Sequence, residues 1–69
     1  MGKAKDIIDW AVEHGEPRII DRLRLRVFPS LMRERLVLTQ VNASTRCSEA
    51  LLAELRAAAS DLVGRPCPF

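Results

Sequence analysis

The hydrophobic positions near the start of the chain repeat at helical spacing. The spacing predicts a helix over residues 3–14 with one apolar stripe, since residues three and four apart share a helix face. Asp6 and Asp9 lie towards its start and His14 at its end, as the helix dipole favours. Gly15 and Pro17 then end it. The stripe consists of Ala4, Ile7, Ile8, Ala11 and Val12.

A second amphipathic pattern occupies the last third of the chain. Ser44, Thr45 or Ser48 can cap the start of this helix, and Gly64 followed by Pro66 ends it. Its narrow, alanine-rich stripe allows close approach of another helix, either in the core or across a dimer interface. We expect it to form a dimer interface. The residues of the stripe are Leu51, Leu55, Ala58 and Leu62.

The middle of the chain, residues 17–42, fits two structures. As a helix, Pro17 suits the first turn, and Ile19, Ile20, Leu23 and Val27 share one face. The Phe28-Pro29-Ser30 sequence then breaks the helix, because the residue before proline disfavours helical dihedrals. A third helix would follow from about residue 30 to residue 40.

The same segment also alternates as a strand would. Residues 22–27 alternate arginine with Leu or Val, and residues 36–41 could pair with them across a loop. That arrangement gives an α+β fold in α-β-β-α order. Leu, Arg and Met are good helix formers, and the loop lacks hairpin turn residues, so we favour the helical alternative. The expected fold class is all-α, a small three- or four-helix module.

Length limits the chain to one small domain, residues 1–69, with an extended tail at residues 65–69. A chain this short buries little of its surface, which favours a homodimer. Residues 1–16 lack the apolar core of a signal peptide, and no stretch is long enough to span a membrane. The expected location is therefore cytoplasmic.

Positive charge concentrates in the middle of the chain. Residues 17–46 hold seven arginines against two carboxylates, a net charge of +5, whereas both flanking segments are net acidic. Arginine pairs well with carboxylates, which suggests a protein partner with an acidic surface. The alternative is an ordinary solvated face neutralised by the chain's own acids. The expected partner-binding residues are Arg22, Arg24, Arg26, Arg33 and Arg35, with Trp10 and Phe28 as apolar anchors.

The sequence offers little catalytic or metal-binding chemistry. His14 is the one histidine, and no nucleophile and base pair has a local signature. Cys47 and Cys67 are widely spaced, without the paired ligands of a zinc site, and we expect free thiols. No glycine-rich phosphate loop is present. We therefore expect no enzyme activity, no metal and no cofactor.

Residues 35–55 are arranged like a helix–turn–helix motif, with a short helix, a turn at residues 41–43 and a recognition helix from about Ser44. In that arrangement Ser44, Thr45 and Arg46 could contact DNA. Leu38 and Ser48 depart from the motif's packing positions, and Glu49 and Glu54 would face phosphates unfavourably.

These patterns support two hypotheses of function. The favoured one is a small non-enzymatic regulatory protein that binds and modulates or inhibits a protein partner. The alternative is a helix–turn–helix-like DNA-binding transcriptional regulator.

Overall fold

Four α-helices and one short 3-10 helix make up the computed structural model, which describes residues 3–69. The α-helices are α1 (Lys3–His14), α2 (Ile19–Arg26), α3 (Phe28–Arg33) and α4 (Glu49–Val63), and the 3-10 helix spans Leu38–Gln40. Residues 3–69 contain no strand, and the all-α expectation is confirmed. Ile19, Leu23 and Val27 are all buried, which explains why tertiary packing favours helix α2 over the alternating strand.

Helix α1 has the predicted bounds but a rotated apolar face. Ala4, Ile7, Ile8 and Ala11 are buried as expected. Val12 is 53% exposed, whereas Trp10 is only 8% exposed. The buried arc therefore extends towards Trp10 and away from Val12, because the large indole has more apolar area to remove from water.

Helix α4 has caps at both ends. Ser48 is the N-cap, and its Oγ accepts a hydrogen bond from the Leu51 N–H at 3.1 Å. At the other end Gly64 adopts a left-handed φ of 86°, and its N–H donates to the Ser60 carbonyl at 2.9 Å. Of the three N-cap candidates in the sequence, Ser48 takes the role, and Ser44 and Thr45 lie in the preceding loop.

The middle of the chain is helical in two short pieces. Helix α2 ends at Arg26, and α3 begins at Phe28 with Pro29 in its first turn. The predicted third helix over residues 30–40 is wrong in its bounds, because α3 ends at Arg33. A chain reversal at Arg35, described below, separates α3 from the 3-10 helix.

One hydrophobic core joins the helices. Helix α4 packs against α1 and α2, and α1 packs against α2. Leu51, Leu55 and Ala58 of α4 are buried in this core, at 1%, 1% and 5% exposure, and Leu62 is half-buried against it. This contradicts the dimer-interface assignment, because the stripe is already covered by the chain's own helices. A dimer remains a prediction, and it would need another surface.

Two polar contacts attach α3 and its C-terminal end to α4. The Ser30 Oγ, which is buried, donates to Glu54 Oε2 at 2.6 Å. Glu34, just after α3, accepts hydrogen bonds from the N–H of Ser48, at 3.0 Å, and from its hydroxyl. These bonds lower the pKa of Glu34, with the Ser48 hydroxyl as the largest cause. They hold α3 in place although only six residues form it.

The tail folds back onto the end of α4. The Cys67 N–H donates to Ser60 Oγ at 2.9 Å, and the Cys67 side chain packs against the core. Residues 66–69 have no regular secondary structure. Cys47 and Cys67 are free thiols, as expected.

Candidate partner-binding groove

Three of the exposed large apolar side chains in the middle segment surround one groove. Phe28 is 48% exposed, Met32 62% and Val37 51%. The buried Leu31 and Leu38 form the floor. The groove has a volume of about 190 Å³ and is lined by Arg24, Phe28, Leu31, Met32, Leu36, Val37 and Leu38. We call it the α3 groove.

Local backbone geometry creates the α3 groove. After α3 the chain reverses at Arg35, whose φ of 56° is left-handed. The Leu36 N–H donates to the Leu31 carbonyl at 2.9 Å, and the Arg35 N–H donates to the Met32 carbonyl at 3.1 Å. This pair of bonds is a Schellman motif, which normally has glycine at the left-handed position. The reversal returns residues 36–38 alongside α3, so that Val37 faces the same groove as Phe28 and Met32.

The five arginines expected to bind a partner fall into two groups. Three of them, all on α2, make ion pairs with the chain's own acids. Arg22 pairs with Glu16 at 3.3 Å, Arg26 with Asp61 at 2.8 Å and Arg24 with Asp21 at 3.9 Å.

The other two arginines differ. Arg33 and Arg35 are exposed, and neither makes an ion pair within residues 3–69. Arg33 follows Met32 and Arg35 precedes Leu36 in the chain, so both adjoin residues of the α3 groove. Arg24 lines the groove itself, and its own ion pair is the longest of the three. Arg24 is thus the arginine of the groove lining, and Arg33 and Arg35 are next to lining residues in sequence.

The two expected apolar anchors have different environments. Phe28 is half exposed on the rim of the α3 groove, as an anchor requires. Trp10 lies in the core, and its ring is 5.5 Å from the His14 ring, measured between centroids. Trp10 therefore has too little exposed surface to anchor a partner, and its assignment as an anchor is corrected. Met32 and Val37, which the sequence reasoning missed, supply the exposed apolar surface instead. The four-residue spacing of Phe28 and Met32, which places both on one face of a helix, was the sequence signal that could have found Met32.

The residues of the helix–turn–helix hypothesis do not form that motif. A 3-10 helix of three residues replaces its first helix, and α4 begins only at Glu49. Ser44, Thr45 and Arg46 lie in the loop before α4, where the Asn42 side chain accepts a hydrogen bond from the Ser44 N–H at 2.8 Å. These three residues do line one cavity, of about 450 Å³, together with Lys3 and Glu49. They are thus brought together, but not on a recognition helix.

Two of the groups that could carry chemistry, His14 and Cys47, have defined surroundings. The His14 Nδ1 lies 2.9 Å from the Trp10 carbonyl oxygen, one turn back on α1. Burial raises the pKa of the Cys47 thiol, and the nearby Glu34 charge raises it further, so that this thiol is protonated at neutral pH. Across residues 3–69, no group of three or more His, Cys, Asp or Glu side chains is placed to hold a metal ion. Within the same range, no helix has the length and apolarity needed to cross a bilayer.

Comparison of the chain with protein-family models, with curated proteins and with solved structures found no match. The α3 groove is the place where three of the chain's large exposed apolar side chains and an arginine come together.

Proposed function

We propose that this chain is a small non-enzymatic interaction protein that binds a partner protein at the α3 groove and thereby modulates or inhibits it. The observation that supports the proposal is the convergence of Phe28, Met32 and Val37, each about half exposed or more, on one groove. Exposed apolar side chains scattered singly are ordinary, but a cluster with a polar rim is typical of interaction sites.

The size of the surface suits a transient complex. Full burial of one large apolar side chain is worth roughly 1.5–3 kcal/mol, and these three have about half of that still to gain. Together they would contribute about 3–4 kcal/mol before the entropic cost of association. The arginines and the partner's own apolar surface must supply the rest. By themselves the three side chains correspond to a dissociation constant of about 1 mM or weaker, so a micromolar complex requires roughly 4–5 kcal/mol more from these other contacts.

Affinity capture from an extract of the native host tests the proposal with a matched pair of variants. Met32 and Val12 are both exposed apolar residues, but only Met32 lines the α3 groove. A protein captured by the wild type and by Val12→Asp should be lost with Met32→Asp. Circular dichroism would establish that both variants are folded. Equal capture by the two variants, or capture of no protein by the wild type, would refute the assignment.

A second candidate function is binding of nucleic acid. Its support is that Lys3 and Arg46 line one cavity with the hydroxyl residues Ser44 and Thr45, a combination that suits phosphate contacts. Glu49 in the same cavity opposes it. Titration of labelled duplex DNA at low and moderate salt is the test. Salt-dependent binding that weakens on Arg46→Ala would support this function, and the absence of binding at low salt would exclude it.

A further inference from the structure

The shape and charge of the α3 groove limit the kind of segment that could occupy it. We infer that the partner inserts one bulky apolar side chain, flanked by carboxylates, from a short linear segment. This inference rests on the proposed function and adds the chemistry of the partner.

The volume of the groove sets the size of the inserted group. A closed apolar cavity of roughly 150 Å³ accommodates benzene. The α3 groove, at about 190 Å³, has room for one ring-sized side chain and not for a row of them. Phe28 and Met32 form its rim, and both make favourable contacts with an aromatic ring. An aromatic anchor therefore fits best.

The length of α3 argues for a short contact. The helix has six residues, and at ~1.5 Å per residue it is about 9 Å long. A long amphipathic helix lying in a groove uses anchors spread over two or more turns on a matching surface. The rim of the α3 groove offers Phe28 and Met32 as one pair separated by a single turn. A linear segment with one anchor matches this surface better.

The arginines of this region favour carboxylates beside the partner's apolar anchor, and they disfavour a second copy of this chain as the partner. Arg24 lines the groove. Arg33 and Arg35 are next to the lining residues Met32 and Leu36 in the chain, and neither makes an ion pair inside the described part of the chain. In a two-fold dimer the same patch appears on both subunits, which would bring these arginines towards each other. Carboxylates on a different chain would be attracted to the same positions, with bidentate pairing available to each guanidinium.

The test uses three short fluorescein-labelled peptides and measures their anisotropy with the full chain. The first has a central Phe flanked by Glu and Ser, the second replaces Phe with Ala, and the third replaces every Glu with Lys. We expect the first to bind at least roughly ten-fold more tightly than either of the others, and to weaken as salt is raised. A Lys or Ala peptide that binds as tightly as the first, or no binding of the first at millimolar concentration, would overturn the inference.

Protein variants locate the binding. Met32→Asp should weaken the acidic peptide by roughly ten-fold or more, and the double variant Arg33→Gln/Arg35→Gln by several-fold with a smaller salt dependence. Val12→Asp and Arg46→Gln are the matched controls, because neither residue lines the groove or is next in sequence to a residue that does. Equal loss in the controls, or a wild-type dimer that Met32→Asp dissociates, would contradict the inference.

The two proposals can fail separately. If the host partner is captured by the wild type and lost with Met32→Asp, yet the acidic peptide shows no preference, the groove binds a partner of other chemistry. The function then stands and the inference does not.

Discussion

Ser48 joins two parts of the fold, and its replacement by alanine tests how that junction is built. The Ser48 hydroxyl accepts a hydrogen bond from the Leu51 N–H and donates one to the Glu34 carboxylate. Ser48→Ala removes both bonds and leaves the backbone N–H of residue 48 still able to donate to Glu34. The variant therefore uncaps α4 and loosens its attachment to the end of α3.

The expected destabilisation follows from the two lost bonds. Loss of a serine N-cap typically costs about 1 kcal/mol. The bond to Glu34 is solvent-exposed, so we assign it about 0.5–1 kcal/mol, below the range for buried charged hydrogen bonds. The total is about 1.5–2 kcal/mol. In a domain of this size each kcal/mol lowers the Tm by roughly 4–8 °C, which gives a decrease of roughly 10 °C.

Thermal and urea unfolding followed by circular dichroism at the helix band would measure this effect. Ser44→Ala is the matched control, since Ser44 lies in the exposed loop before α4 and only its backbone N–H takes part in the hydrogen bonds found in residues 3–69. The control should change the free energy of unfolding by less than about 0.5 kcal/mol.

A double-mutant cycle with Glu34→Gln separates the capping bond from the Glu34 bond. We expect a coupling energy of about 0.5 kcal/mol between residues 34 and 48. If Ser48→Ala is no more destabilising than Ser44→Ala, the reasoning about the junction is wrong. If the coupling energy is zero, the cap accounts for the whole effect and the Glu34 contact contributes nothing.

Three further predictions concern pH, backbone strain and the core. The hydrogen bonds from Ser48 lower the pKa of Glu34 in the folded state, so the stability that they add is present above the unfolded-state pKa and is lost as pH falls through the folded-state pKa. The loss of stability in acid should therefore be smaller in Ser48→Ala than in the wild type. The same pH profile of unfolding in both proteins would contradict this. Arg35→Gly should be more stable than Arg35→Ala by about 1 kcal/mol in urea unfolding. Glycine adopts the left-handed φ of 56° without the steric cost that alanine shares with arginine. Equal stability of the two variants would show that the position is unstrained. Leu55 is in the core at 1% exposure, and Leu55→Ala should lower the free energy of unfolding by about 3 kcal/mol. Leu25 is 70% exposed, and Leu25→Ala should lower it by less than about 0.5 kcal/mol. Similar losses of stability for the two variants in thermal unfolding would mean that α4 is not packed as described.

The terminal helices could be predicted from the sequence because their signals are local. Helix α1 has the predicted bounds, and α4 ends at the predicted glycine and begins after one of the predicted serine caps. Apolar spacing and capping residues act within one or two turns, so they operate before any tertiary contact forms. The arginine-rich character of the middle segment is likewise a property of the sequence alone.

The middle segment required the tertiary structure. The alternation of residues 22–27 is compatible with a strand. The segment becomes helical because Ile19 and Leu23 are buried on one face of α2, and Val27 is buried at its C-cap. Helix α3 ends where Arg35 adopts a left-handed φ. Arginine seldom adopts this conformation, so the sequence does not predict it.

The same distinction applies to the functional surface. An amphipathic stripe does not reveal whether it is covered by its own chain or by another, so Leu51, Leu55 and Ala58 could be placed in the core only by the packing of α4 on α1 and α2. Nor does an arginine reveal whether a carboxylate distant in sequence will pair with it, as Asp61 does with Arg26. The sequence by itself determined which residues have apolar and cationic character. Only the tertiary structure decided which of them remain exposed together, because burial and ion pairing depend on contacts between segments far apart in the chain.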